Sequence, residues 1–163
     1  MTFQIEPFGA THADGVRDLI VPIQRDEFGL DITYADQPDL HDIPGFYRQG
    51  CGEFWVACTD DGSVVGSVAL IDIGAHQTAL RKMFVAKAYR GEPHGLARAL
   101  LETLVAHAHA SGVADIFLGT TDAFRAAHRF YEKAGFDLID ESDLPRAFPR
   151  MAVDTRFYRQ VLD

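Results

Sequence analysis

The sequence predicts an α/β (α+β) fold in which a mixed central sheet of about six to seven strands is flanked by helices. Two observations predict this class. In the first half of the chain, short apolar segments are joined by turn residues, a pattern typical of antiparallel strands. In the second half, strands alternate with helices in the order β-α-β-α-β. The 163 residues, 47% of them hydrophobic, are enough to bury a core, and we expect a single domain over residues 1–163.

The first half supplies most of the strands. Apolar runs and alternating patterns predict strands at residues 3–6, 52–57, 64–71 and 80–85. A helix is expected to begin near Thr11, and a shorter helix to occupy residues 43–49. Asp60-Asp61-Gly62 predicts a hairpin turn. Between residues 25 and 42 the periodicity is lost.

The second half is organised around two helices. Apolar residues recur at a spacing of four after Gly95, which predicts an amphipathic helix containing Leu96, Leu100, Leu104 and Ala108. Gly112 is expected to end that helix, and Asp122 and Gly135 to cap and close the next one. The remaining elements are expected at residues 116–118 (strand), 123–133 (helix), 136–139 (strand) and 151–158 (strand).

The segment from residue 81 to residue 98 has the pattern of a phosphate site. An apolar run is followed by a turn with Arg90-Gly91, and Gly95 then opens a helix. The segment contains five Lys or Arg residues and a single acid, although the whole chain has a net charge of −9. The first turn of a helix presents backbone N–H groups that bind anions. We therefore expect a phosphate-bearing ligand at this turn.

Composition excludes several other classes. The acidic chain argues against nucleic-acid binding, which depends on positive charge. There is no signal-peptide pattern at the N-terminus and no run of about 18–20 apolar residues, so no membrane segment is predicted. Two cysteines and seven histidines form no disulfide framework and no metal-binding motif, so no metal is expected. These features together predict a cytoplasmic protein.

Two segments carry a resemblance to a known family. RGEPHGLARALL at residues 90–101 and FYEKAGF at residues 130–136 resemble the GNAT N-acetyltransferases, and the order of elements is similar as well. The resemblance implies an acetyl-CoA-dependent N-acetyltransferase. It would move an acetyl group to a primary amine of a small molecule or peptide by direct attack in a ternary complex. Acetyl-CoA would be the co-substrate, and homodimers are frequent in the family. The alternative is a non-catalytic CoA-binding sensor or regulatory domain on the same scaffold.

The resemblance also implies which residues hold the cofactor. The family's loop, Gln/Arg-x-x-Gly-x-Gly/Ala, is matched at residues 95–97, but Glu92 occupies the position of its Gln or Arg. We interpret this as a longer loop in which Arg90 and His94 reach the phosphates. The preceding strand would bind the pantetheine arm through its main chain. The implied cofactor-binding residues are Met83, Phe84, Val85, Arg90, Gly91, His94, Gly95, Leu96, Ala97, Arg98, Phe124 and Phe130.

Tyr131 is the implied catalytic residue, as the general acid or as the group that stabilises the leaving thiolate. A tyrosine, with a pKa of about 10, is a weaker acid than a thiol at about 8.5, so hydrogen bonding to the thiolate is favoured over full proton transfer. The family often has Asn seven residues earlier, where this chain has Phe124. One polar contact to the cofactor is therefore missing, and Thr120 or Thr121 could replace it.

The base that deprotonates the amine is left open by the sequence. Glu27 is a candidate base or substrate contact, and Glu53, Asp72 and a water chain are alternatives. Neither cysteine lies in a nucleophile motif, so no acyl-enzyme is expected.

The acceptor is also left open. Six acids between residues 26 and 42 would attract a cationic amine such as a polyamine, or would form a solvated face. Arg25 and Arg48 keep recognition of a carboxylate open.

Overall fold

A seven-stranded mixed sheet forms the centre of the structure, a computed structural model that describes residues 2–91, 94–122 and 124–162. Its strands are β1 (Gln4–Pro7), β2 (Glu53–Cys58), β3 (Val64–Gly74), β4 (Gln77–Val85), β5 (Asp115–Thr120), β6 (Asp137–Ile139) and β7 (Arg156–Val161). The α-helices are α1 (Ala13–Pro22), α2 (Pro38–His41), α3 (Ile43–Tyr47), α4 (Leu96–Ala110) and α5 (Arg125–Lys133). A π-helical turn, Ile23–Glu27, continues α1. The predicted fold class is confirmed.

The sheet has the strand order β1-β2-β3-β4-β5-β7-β6. β1 to β4 are antiparallel, and β7 is antiparallel to both of its neighbours. β4 and β5 are parallel because α4 crosses over between them. Their pairing covers Gln77–Ala79 on β4 and Asp115–Phe117 on β5, and it does not continue further along the strands. The two central strands therefore part, and a cleft opens between them.

A β-bulge lies in β4 just beyond the point at which it leaves β5. Lys82 has a φ of 56°, which is uncommon outside glycine. The register with β3 shifts at this point, because Ala69 pairs with Arg81 whereas Ser67 pairs with Phe84. A bulge bends its strand and increases the local twist. The bend carries the end of β4 away from β5.

The core occupies both faces of the sheet. The predicted apolar stripe of α4 is confirmed, since Leu96, Leu100 and Leu104 are at most 1% exposed and pack on one face. On the other face, Val16 and Ile20 of α1 are fully buried in a second cluster. In the described part of the chain, no helix is long and apolar enough to span a membrane.

Several predicted boundaries are confirmed and others are wrong. Gly112 and Gly135 follow α4 and α5 with φ values of 77° and 97°, as expected for closing glycines. The predicted cap at Asp122 is wrong, because the N-cap of α5 is Phe124, with no side-chain cap. The predicted helix residue Ala123 lies outside the described residues.

The start of the last strand was also predicted incorrectly. Residues 151–154 form a turn instead of a strand. The N–H of Met151 donates to Asp154 Oδ2 at 2.9 Å, and the N–H of Asp154 donates to the Met151 carbonyl at 3.0 Å. The aspartate side chain thus competes with strand pairing, as short polar side chains do in turns. β7 therefore begins at Arg156.

Candidate active site

A cleft of about 770 Å³ opens where β4 and β5 part. The end of β4 lines one side, the end of β5 lines the other, and the start of α5 closes it. Five of the residues predicted to contact the cofactor or the reacting atoms line this cleft: Met83, Phe84, Arg90, Phe124 and Tyr131. The structure therefore brings together side chains that are far apart in the sequence.

Tyr131 is buried at the base of the cleft, with 6% of its surface exposed. Its ring packs against Phe130, Phe136 and Tyr158, with centroid distances of 5.3, 5.6 and 6.2 Å. Burial alone raises the pKa of Tyr131, and no described residue forms a hydrogen bond with its hydroxyl. A phenol with a raised pKa is a weak acid but remains a hydrogen-bond donor at neutral pH. Donation to a thiolate is therefore the better match for this site than proton transfer.

The end of β4 offers main-chain groups to the cleft. Beyond Ala79, the β4 edge that faced β5 has no partner strand in the described structure. Met83 and Phe84 lie on this stretch and line the cleft. Val85 is buried, and its carbonyl accepts a hydrogen bond from Arg90 Nε at 2.9 Å. A strand edge of this kind binds an extended ligand by adding it as a further strand.

The turn before α4 has the geometry expected of an anion site. Gly91 and Gly95 have φ values of 73° and 63°, in the left-handed region that glycine adopts without steric cost. A Cβ on Gly95 would meet nothing within 4 Å, so the turn is open above the helix. Leu96, 1% exposed, anchors the first turn in the core, and Ala97 packs beside it. His94 lies in the same turn, whereas Glu92 and Pro93 lie outside the described residues.

Arg90 and Glu27 were predicted to have separate roles, but the structure pairs them with each other. The guanidinium donates to both carboxylate oxygens of Glu27, at 2.6 and 3.0 Å. This pair lowers the pKa of the Glu27 carboxyl, which makes it a weaker proton acceptor. Glu27 is therefore placed to hold Arg90, and its use as a base stays a prediction.

Two further predicted residues line a second groove. Arg98 and Phe130 contact a space of about 790 Å³ between α4 and α5, on the face of the sheet that α4 covers. Their contact with the cofactor stays a prediction. Phe124, in the main cleft, lies against Phe28, with ring centroids 4.1 Å apart. This pair joins the segment after α1 to the start of α5, at the position where the family has Asn.

The alternative bases are engaged elsewhere. Glu53 accepts a hydrogen bond from Arg48 Nε at 2.6 Å. Asp72 accepts from the backbone N–H groups of Cys51 and Gly74, and these bonds lower its pKa. Neither carboxylate is among the residues that line the cleft.

Sequence reasoning missed Asp154, a buried carboxylate that does line the cleft. It is 6% exposed, and burial raises its pKa. It lies against Gly119 of β5, where an added Cβ would be 2.7 Å from the carboxylate carbon. An isolated glycine in a strand indicates a close approach by another group, so Gly119 was the available signal. The sequence did not show which group approaches.

Sequence reasoning also missed a buried ion pair at the wall of the cleft, which Lys82 lines. Lys82 Nζ lies 3.5 Å from Asp39 Oδ2 and donates to Gln37 Oε1 at 2.6 Å. Tyr47 donates to the same carboxylate oxygen at 2.5 Å. Burial lowers the pKa of Lys82. Asp39 is one of the six acids between residues 26 and 42, and its carboxylate is buried in this ion pair. Asp31 and Asp36 of the same stretch line the cleft instead.

One group of potential metal ligands lies outside the cleft. Atoms of Glu6, His12 and Cys58 fall within 4.8 Å of one another. The N–H of Gly9 donates to His12 Nδ1 at 2.8 Å, so the ring proton lies on Nε2, which is 2.9 Å from Glu6 Oε1. A metal ion would have to displace that proton, and the hydrogen bonds already satisfy both nitrogens.

Known proteins share this architecture. The model of the acetyltransferase (GNAT) family matches residues 17–136. A GNAT-family acetyltransferase from Staphylococcus aureus Mu50 is 34% identical, with a TM-score of 0.94 over 99% of this chain and 100% of that chain. The PaiA N-acetyltransferase of Thermoplasma acidophilum, solved in complex with coenzyme A, shares the fold at 12% identity and a TM-score of 0.76, over 99% of this chain and 100% of that chain.

A curated relative adds a sequence match over a shorter region. The N-acetylaspartate synthetase of Danio rerio is 36% identical over 117 residues, which are 69% of this chain and 40% of that protein. The chain thus spans less than half the length of this relative. The family match covers most of the described fold, including the turn before α4 and the helix that carries Tyr131. The chain belongs to the GNAT acetyltransferase family.

Proposed function

We propose that the protein transfers the acetyl group of acetyl-CoA directly to a primary amine of a small molecule or peptide, in a ternary complex. The observation that carries this proposal is Tyr131, a buried residue that lines the cleft and whose hydroxyl has no hydrogen-bond partner among the described residues. Family membership supports acetyl-CoA as the co-substrate.

The end of β4, the turn before α4 and Arg90 offer groups for different parts of the cofactor. The unpaired edge of β4 at Met83 and Phe84 would bind the amides of the pantetheine arm. The turn at Gly95 and the first turn of α4 would bind the pyrophosphate through backbone N–H groups. Arg90, which donates to Glu27, would share its guanidinium with a phosphate.

The chemistry then needs three events. The ammonium group of the acceptor loses a proton, because an alkyl amine with a pKa of about 10.4 is mostly protonated at neutral pH. The neutral nitrogen attacks the thioester carbonyl, so that a C–N bond forms and the C–S bond breaks. Tyr131 donates a hydrogen bond to the departing thiolate, which takes up the second proton lost by the acylated nitrogen to give free CoA.

A thiol-release assay with a panel of amines tests this function. The panel contains polyamines, amino acids and short peptides, and it includes aspartate because of the name of one relative. We expect CoA release that requires both acetyl-CoA and an amine, with intersecting double-reciprocal plots. Parallel plots would indicate an acyl-enzyme and contradict direct attack.

Acetyl-CoA binding without turnover of any amine would favour the sensor alternative, which no other observation supports. The cytoplasmic location and the homodimer stay predictions. Light scattering during size-exclusion chromatography would measure the oligomeric state.

A further inference from the structure

Two side chains of opposite charge lie at the point where β4 and β5 part. Ala79 and Phe117 are the last paired residues of the two strands. Arg81 and Gly119 each lie two residues further on, so both are on the same face of the sheet as that last pair. The carboxylate of Asp154 lies against Gly119, and both Arg81 and Asp154 line the cleft. The arginine and the aspartate are thus placed on the two sides of the gap.

Arg81 has unused hydrogen-bonding capacity. In the described structure, its guanidinium makes one hydrogen bond, to Met151 Sδ at 3.4 Å, and a thioether is a weak acceptor. No carboxylate of a described residue lies within 4.0 Å of it. A guanidinium has five donors in a planar fork that matches a carboxylate. A half-buried arginine in a cleft is therefore ready to bind a carboxylate from a ligand.

Asp154 offers a negative charge on the other side of the gap from Arg81. One of its oxygens accepts a hydrogen bond from the backbone of Met151 at 2.9 Å, and the side chain, although largely buried, lines the cleft. The same Met151 contacts Arg81 through its sulfur, so it connects the two charged groups. Because Gly119 has no side chain, the carboxylate can lie directly against β5. A buried carboxylate at the cleft favours a cationic ligand group.

We propose that the acceptor is a zwitterionic amine, such as an amino acid, whose carboxylate binds Arg81 and whose ammonium group binds Asp154. The proposal rests on the acetyl transfer proposed above and names the acceptor class. Asp154 takes one proton from the ammonium group, the neutral nitrogen attacks the thioester, and Asp154 later passes the proton to solvent. Lys82 is not part of this recognition, because Asp39 and Gln37 already engage it.

The first test compares matched acceptors. Each amino acid in the panel is compared with its α-amide and with the amine that lacks the carboxyl group. For the wild type, we expect a kcat/KM about 10- to 100-fold higher for the amino acid, as is typical of a charge-assisted bidentate contact. Arg81→Met should abolish this preference by raising KM for the amino acid alone. Arg17→Met is the matched control, since Arg17 is on the surface and pairs with Asp14 and Asp18.

The second test addresses Asp154. Asp154→Asn should lower kcat at pH 7 for every acceptor, and raising the pH should restore part of the loss because more of the amine is then neutral. Arg81 and Arg150 are the charged groups that act on Asp154. A change in the pH dependence of kcat in Asp154→Asn is therefore attributed to loss of the Asp154 carboxylate. A role in folding alone would lower the amount of active protein without changing the profile.

Direct binding separates failure of this proposal from failure of the proposed function. Amino acids are titrated into the CoA-saturated protein by calorimetry, for the wild type, Arg81→Lys and Arg81→Met. Binding weakened in both variants supports the recognition, even without turnover. Acetylation that prefers polyamines, or an equal effect of Arg81→Met on all acceptors, would overturn the zwitterion proposal and leave acetyl transfer intact. Failure of every amino acid to bind would also overturn it.

Discussion

The substitution Tyr131→Phe removes a single hydroxyl group and tests its role alone. The ring contacts with Phe130 and Phe136 remain, and the hydroxyl has no described partner to lose. We therefore expect the free energy of unfolding to change by no more than about 0.5 kcal/mol. A hydrogen bond to a charged group contributes about 1.5–3 kcal/mol. Since each 1.36 kcal/mol corresponds to a factor of ten in rate, kcat should fall about 10- to 150-fold.

The assay measures kcat by thiol release, the Kd of acetyl-CoA by calorimetry and stability by urea unfolding. The Kd should be unchanged, because the contact forms only as the thiolate develops. Tyr158→Phe is the matched control. Its hydroxyl donates to Glu132 Oε2 at 2.6 Å, so its loss should lower stability and spare kcat. Unchanged kcat in Tyr131→Phe, or an equal loss in both variants, would refute the assigned role.

Three further predictions test the loop, the core and the thiols. Gly95→Asp should weaken acetyl-CoA binding at least about tenfold relative to Gly95→Asn. Asparagine tolerates the same left-handed backbone but adds no charge. Equal Kd values for the two variants would show that the phosphates bind elsewhere. Asp39→Ala should cost about 3–5 kcal/mol in urea unfolding, because it leaves Lys82 buried without its ion partner. The double variant Asp39→Leu/Lys82→Met should recover most of that loss. A similar loss of stability in Asp39→Ala and in the double variant would contradict the role of the buried ion pair. Burial and Asp72 raise the pKa of the Cys51 thiol to about 11, and burial raises that of Cys58. Both therefore stay protonated at pH 8, and iodoacetamide should modify them slowly and without loss of activity, whereas fast inactivation would contradict this.

Local patterns were sufficient for the elements that frame the site. The leucine spacing of α4 identifies a buried face, and those leucines are in the core. The small-residue turn before α4 needs φ values that glycine adopts, and Gly91 and Gly95 have them. FYEKAGF places Tyr131 on a helix, where the structure finds it buried at the cleft.

The contacts within the site depend on tertiary packing, which the sequence pattern does not encode. Asp154 lies beside β5 because residues 151–154 form a turn, although the apolar pattern predicted a strand there. Asp39 belongs to a stretch of acids that appeared uniform in sequence, yet it alone pairs with Lys82. Arg90 and Glu27 are 63 residues apart, so their pairing could not be predicted from spacing.

Amide hydrogen exchange with and without saturating acetyl-CoA tests the central claim, that the cofactor occupies the cleft between β4 and β5. We predict slower exchange in peptides that cover the end of β4, the turn at Gly95 and the first turn of α4. Exchange in β1, at the far edge of the sheet, should be unchanged. Protection confined to other elements, or no protection at saturation, would contradict the account.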